Sequence, residues 1–195
     1  VFLLSLLHMT GGGSHINLMK AESPGPSVSK LVPTVRSTAK ILYIIYLAMT
    51  VLEIVFLLIG KMPLFDALTI TFGTAGTGGF GIKNDSLAGY SPYLQVVVTI
   101  FMILFGVNFS AYFLLLRRKV KQAFSMEEVR WYLLIILASI ALITLSVRDM
   151  YGSVGEAARH AAFQVGSIIT TTGYASTDFN LWPEVPRTIL VLLMF

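Results

Sequence analysis

The chain has no cysteine in 195 residues, only three histidines, and charge on just 12% of its positions. Each scarcity excludes something. Without cysteine there is no disulfide framework, no thiolate nucleophile and no Cys-ligated metal. His8, His15 and His160 lie far apart or in no ligand spacing, and neither H-E-x-x-H nor G-x-S-x-G occurs, so metal-dependent or serine hydrolase chemistry has no residues to work with. A soluble domain carries roughly 25% charged residues. Here 55% of the residues are hydrophobic and the mean hydropathy is +0.78. This composition describes a membrane protein; a membrane-embedded enzyme ranks well below a transport role, and no nucleic-acid partner is expected.

Three apolar stretches, 41–60, 93–116 and 131–147, are of the length that crosses about 30 Å of hydrocarbon. Two shorter ones, 64–73 and 155–169, each run into a Gly/Thr-rich tract, and their length suits re-entrant half-helices. Both ends, 1–7 (VFLLSLL) and 188–195 (TILVLLMF), stop within apolar sequence, which leads to the expectation of a longer chain with further helices on each side. Charge then orients the spans. The segment 8–40 holds Lys20, Lys30, Arg36 and Lys40 against Glu22, and 117–130 holds Arg117, Arg118, Lys119, Lys121 and Arg130 against Glu127 and Glu128, so each carries +3. The positive-inside rule makes these two loops cytoplasmic and brings both tracts in from the outer side.

The same plan occurs twice: span, short helix, Gly/Thr tract, span. Superposing Gly79 on Gly173, an offset of 94 residues, places Thr77 on Thr171 and Phe80 on Tyr174, so T-x-G-aromatic repeats in register. Gly76, Thr77, Gly78 and Gly79 form the first tract, and Thr170, Thr171, Thr172 and Gly173 the second. Small residues let successive carbonyls turn toward one axis and replace a cation's hydration shell. Phe80 and Tyr174 would wedge the tracts against neighbouring helices. Asp66 and the S-x-x-E box of Ser153 and Glu156 start the two short helices, whose negative C-terminal dipole ends would then face a cation.

Other polar residues read more plainly. Glu53, in the outer third of the first span, is expected to reach the interface or a neighbouring helix. Asn108 and Ser110 lie deep in the 93–116 span, lining a cavity below the tract or bonding a neighbouring helix. Tyr90, Tyr93, Trp131 and Trp182 fall where interfacial aromatic belts form.

Lys20 to Pro26 (KAESPGP), Thr77-Gly78-Gly79-Phe80, Asn108-Phe109, and Thr170 to Tyr174 followed by Trp182-Pro183 together resemble the TrkH/TrkG/KtrB family of bacterial potassium uptake proteins, most of all its TrkH branch. The resemblance implies an all-α membrane protein of repeated helix–pore-loop–helix units with re-entrant half-helices, K⁺-channel-like, four units surrounding one K⁺ pathway. This chain would carry the second and third. It would be organised as 1–37, the end of a preceding span with its connector; 38–117, a pore unit with pore helix and filter at 64–80; 118–128, a linker; and 129–195, a second unit with pore helix and filter at 155–174 and a shortened span at 184–195. Further implications are K⁺ as the transported ion with no cofactor in this chain, nucleotide only on a TrkA- or KtrA-like cytoplasmic regulatory subunit, a homodimer of the full-length protein, and a bacterial inner-membrane location. The competing reading is a secondary transporter whose broken helices bind a cation or small solute at the midplane.

Overall fold

The computed structural model describes the backbone of residues 35–194 and side chains from residue 40; the stretch at 1–7, the connector with Lys20 to Pro26, His8 and His15 lie outside the described residues. Among the described residues all regular structure is helical. The chain divides into two compact units, Val1–Ala48 and Met49–Phe195. The first contributes the opening turns of α1 (Val35–Ile59), whose segment Lys40–Ile59 is long and apolar enough to cross a membrane.

The second unit holds the rest of α1 and then α2 (Leu64–Ala75), α3 (Pro92–Gly106), α4 (Phe109–Leu116), α5 (Val120–Phe124), α6 (Glu127–Val147), α7 (Val154–Ile169) and α8 (Glu184–Leu192). Local chemistry sets where these helices begin. Pro63 and Pro183 precede α2 and α8, Ser91 accepts from the Leu94 N–H with Pro92 following, and the Ser153 hydroxyl accepts from the Glu156 N–H at 3.2 Å. Acidic residues occupy the first turns of α2, α6, α7 and α8, where the helix dipole favours them. A core of Ile136, Ile143, Val147, Ala157, Ala161, Val165, Trp182 and Leu190 joins α6, α7 and α8. Large apolar residues such as Val51, Val55, Leu134, Leu137 and Leu145 remain exposed, the pattern of helices solvated by lipid.

Two expectations change and a third is narrowed. The span foreseen at 93–116 is broken: α3 and α4 meet at 92°. The cause is local. Gly106 ends α3, Val107 is extended, and the Asn108 side chain accepts from the Ser110 N–H at 2.9 Å, starting a new helix. Carbonyls freed at the break are taken up by tyrosines, with the Tyr112 hydroxyl donating to Leu104 at 2.7 Å and that of Tyr132 to Ile103 at 3.0 Å. Trp182, expected in an interfacial belt, is 2% exposed and donates its indole N–H to the Tyr151 hydroxyl at 3.0 Å. Glu53, expected at the interface or against a neighbouring helix, is fully buried, which leaves the second of these.

Candidate functional site

The two tracts follow α2 and α7, and their backbones match bond for bond. Gly76 donates to the Phe72 carbonyl and Thr170 to that of Gly166; Thr77 donates to Thr74 and Thr171 to Ile168. One carbonyl then takes two donors in each copy. Gly73 accepts from Gly78 and Gly79 at 2.8 and 3.3 Å, and Ser167 accepts from Thr172 and Gly173 at 2.9 and 3.3 Å. Every one of these pairs is related by the 94-residue offset. The dihedrals repeat as well: φ is +49° at Thr77 and +62° at Gly79, +57° at Thr171 and +88° at Gly173. A β-branched threonine in the left-handed region is strained, and finding it at the same place twice marks a conformation imposed by the surroundings. Alternating left-handed residues interrupt helix pairing in both tracts.

The tracts also touch each other. The Tyr174 hydroxyl, next to the second tract, lies 3.1 Å from the carbonyl oxygens of both Ile70 and Phe80 beside the first. Gly73 makes room for it, since a Cβ there would collide with the tyrosine oxygen. A Cβ on Gly79 would collide with the Thr172 carbonyl oxygen. The Leu87 N–H donates to the Ala175 carbonyl at 3.0 Å, and the Ala175 N–H to the Ser86 hydroxyl at 3.1 Å. The two aromatic positions diverge: Tyr174 is 2% exposed, whereas Phe80 is 74% exposed with its ring laid over Gly78. The hydroxyls of the second tract are engaged locally: the buried Thr170 bonds the Gly166 carbonyl at 2.7 Å and Thr172 at 2.8 Å, and the exposed Thr171 bonds the Thr170 carbonyl at 2.7 Å.

Loops clasp the start of each short helix. In the first copy the Tyr90 hydroxyl donates to Asp66 at 2.8 Å, and Lys83 sits 4.0 Å from the Tyr90 ring centre. Partial burial, and after it the bond to Asp66, push the Tyr90 hydroxyl up to about 12, so it remains a donor across the physiological range. In the second copy His160 stacks on Tyr151, its Nδ1 lies 2.9 Å from the Ser176 hydroxyl, and its Nε2 is 3.2 Å from an Arg159 N–H donor. An arginine cannot accept, so Nε2 accepts and Nδ1–H donates to Ser176, which makes the ring neutral. Burial, then the Arg159 charge, hold His160 below its ordinary 6.5 against a smaller opposing effect of Glu156. The stabilisation is therefore complete above pH 6.5 and is lost as the pH falls through the depressed value. Thermal unfolding followed from pH 7.5 to 5 is expected to show a falling midpoint whose acid limb His160→Gln flattens; an unchanged limb in the variant would refute this role.

Asn108 and Ser110 stand at the start of α4, directly after the break. Asn108 caps α4 and donates from Nδ2 to Glu128 at 2.6 Å, joining α4 to the start of α6. Sequence reasoning missed the residues that hold the tracts from behind: Gly73, its counterpart Ser167, and Gln95, whose amide nitrogen serves the carbonyls of Leu87, Ala88 and Tyr90. The 94-residue offset itself carried the signal for the first two.

Residues 3–195 match the family described as "TrkH: Cation transport protein". The chain belongs to this family. The Trk system potassium uptake protein TrkH of Salmonella typhimurium is 33% identical over all of this chain and 41% of the relative. The Trk system potassium uptake protein TrkG of Escherichia coli K12 is 31% identical over all of this chain and 40% of the relative. The crystal structure of the potassium transporter TrkH from Vibrio parahaemolyticus superposes with a TM-score of 0.78 at 27% identity, covering 91% of this chain and 39% of that one. The chain thus spans about two-fifths of the length of the relatives it matches. Its all-helical fold with pore-loop repeats is that of the TrkH family, a family of membrane transporters and not of enzymes.

Proposed function

We propose that this chain supplies the second and third pore units of a protein that moves K⁺ into the cell, with Gly76, Thr77, Gly78, Gly79, Thr170, Thr171, Thr172 and Gly173 offering backbone carbonyls to the dehydrated ion. The observation that carries this reading is the bond-for-bond repetition of the two tracts with their left-handed residues at matching positions. The C-terminal ends of α2 and α7 lie at the tracts and add a negative dipole, which favours a cation and disfavours an anion. The potassium uptake named in the relatives agrees with it. K⁺ is the cargo, and the chain needs no cofactor of its own. The +3 charge on residues 117–130 supports a cytoplasmic linker with the tracts toward the outside, and this reading implies a bacterial inner membrane. A groove of about 510 Å³ in this linker, lined by Arg118, Lys119, Val120, Lys121, Gln122 and Ser125, offers cations to a TrkA- or KtrA-like nucleotide-binding subunit. The full-length protein would be a homodimer.

The test places the complete polypeptide in a K⁺-uptake-deficient strain. Gly173→Asp is expected to reduce discrimination of K⁺ over Na⁺, and unchanged discrimination would sink the filter. The 92° break between α3 and α4 favours a second reading, a carrier with broken helices and a midplane site. Competition by an organic solute, with fixed ion stoichiometry, would decide for the carrier.

A further inference from the structure

The carbonyls that directly follow the last tract glycines are equivalent under the 94-residue offset, that of Phe80 in the first copy and that of Tyr174 in the second. Each receives a side-chain hydroxyl. Among the described residues no backbone N–H serves either oxygen. In the second copy the donor is internal: the Ser167 hydroxyl, seven residues back, donates to the Tyr174 carbonyl at 2.6 Å in a buried contact. The same position of the first copy is Gly73, which has no side chain to donate. There the donor comes from the other unit, the Tyr174 hydroxyl lying 3.1 Å from the Phe80 carbonyl oxygen. The other acceptor of that tyrosine, the Ile70 carbonyl, already takes the Thr74 hydroxyl at 2.9 Å, so Phe80 is the one that depends on it.

The two donors also share a place. A Cβ on Gly73 would stand 3.1 Å from the Phe80 carbonyl oxygen and would collide with the tyrosine oxygen. The Tyr174 hydroxyl therefore fills the volume that a serine side chain would take at residue 73, and makes the bond that such a serine would make. The next donor along α7 follows the same division: the Gln164 amide donates to the Thr177 carbonyl at 3.1 Å, whereas its counterpart Ile70 has an apolar side chain. The second unit holds its own tract segment, and the first borrows.

We propose that Ser167 and Tyr174 are equivalent positioning residues, each supplying the one hydroxyl donor that orients the carbonyl after a tract glycine, Ser167 within its own unit and Tyr174 across to the first. Gly73 leaves the space in which the tyrosine replaces a serine. The inference rests on the filter reading, because only there does carbonyl orientation become ion discrimination. A packing role would need the volume and not the donor.

The experiment compares K⁺ and Na⁺ uptake by the complete polypeptide in a K⁺-uptake-deficient strain, normalised to the amount of protein in the membrane. Tyr174→Phe and Ser167→Ala are each expected to lower K⁺-over-Na⁺ discrimination about fivefold, the effect of one hydrogen bond. Gly73→Ser/Tyr174→Phe gives the first copy an internal hydroxyl in the manner of Ser167 and should return to within about twofold of the parent. Gly73→Ala/Tyr174→Phe brings a similar volume without a donor and should stay at the level of Tyr174→Phe. Parental discrimination in either single variant, or equal discrimination in the serine and alanine pairs, overturns the assignment. Where Tyr174→Phe alone does not accumulate, the comparison of the two pairs decides. Gly173→Asp run alongside separates the two ideas: if it too leaves discrimination unchanged, the filter reading has failed, and if it alone alters discrimination, only the exchange of hydroxyl donors has.

Discussion

Gly79→Ala is expected to abolish selective K⁺ uptake and to lower the thermal midpoint of the full-length protein more than any other single methyl addition in the tracts. Two costs coincide at this residue. Its φ of +62° is one that a side chain adopts at a cost of about 1–2 kcal/mol. A Cβ would also meet the Thr172 carbonyl oxygen, a backbone atom that no rotamer change can move aside. Together they amount to about 2–5 kcal/mol, and the second part is relieved only by pushing the tracts apart. Gly173→Ala is the internal comparison. Its φ of +88° is just as left-handed, yet nothing lies within 4 Å of the added carbon. Only the conformational cost remains, about 1–2 kcal/mol. Uptake assays and unfolding scans on both variants check the order, and equal effects would mean that the contact between the tracts contributes nothing.

Gly73→Ala should be the second severe change, and it should have a specific suppressor. Its methyl group would occupy the place of the Tyr174 hydroxyl, and it would also come within 3.1 Å of the Phe80 carbonyl oxygen. Displacing the tyrosine breaks its link to Ile70 and Phe80 and takes a donor from the part-buried Phe80 carbonyl, about 1–3 kcal/mol, with overpacking adding about as much again. Tyr174→Phe removes the colliding oxygen. The Gly73→Ala/Tyr174→Phe pair should therefore be more stable than Gly73→Ala alone, a reversal of the usual order in which second mutations add damage. Unfolding midpoints of the two single variants and the pair measure it; a pair less stable than Gly73→Ala would refute the contact.

How much of this was legible beforehand depended on whether the signal was local. The tracts were, because T-x-G-aromatic at an offset of 94 residues is a pattern in the letters, and the short helices were, because Pro63, Asp66, Ser153 and Glu156 are start signals. The break at Val107–Asn108 was not. Apolar residues run through it without a proline, and hydropathy averages over a turn that a single asparagine side chain initiates. Glu53 stayed open between interface and neighbouring helix for the opposite reason. A sequence gives its depth along α1 but not its azimuth, and azimuth decides whether a carboxylate meets lipid headgroups or a neighbouring helix. Trp182 was misplaced likewise, since proximity to a chain terminus of a span says nothing of the tyrosine waiting to accept its N–H.

The link from Tyr174 to Phe80 has no mirror image: Phe80 sends no hydroxyl back. A ring of identical subunits must repeat every residue it uses, so whatever suits one quadrant is imposed on all. A single polypeptide is free of that rule. Here duplicated backbones keep their common geometry while the side chains behind them specialise, one loop becoming the strut and the other the anchorage.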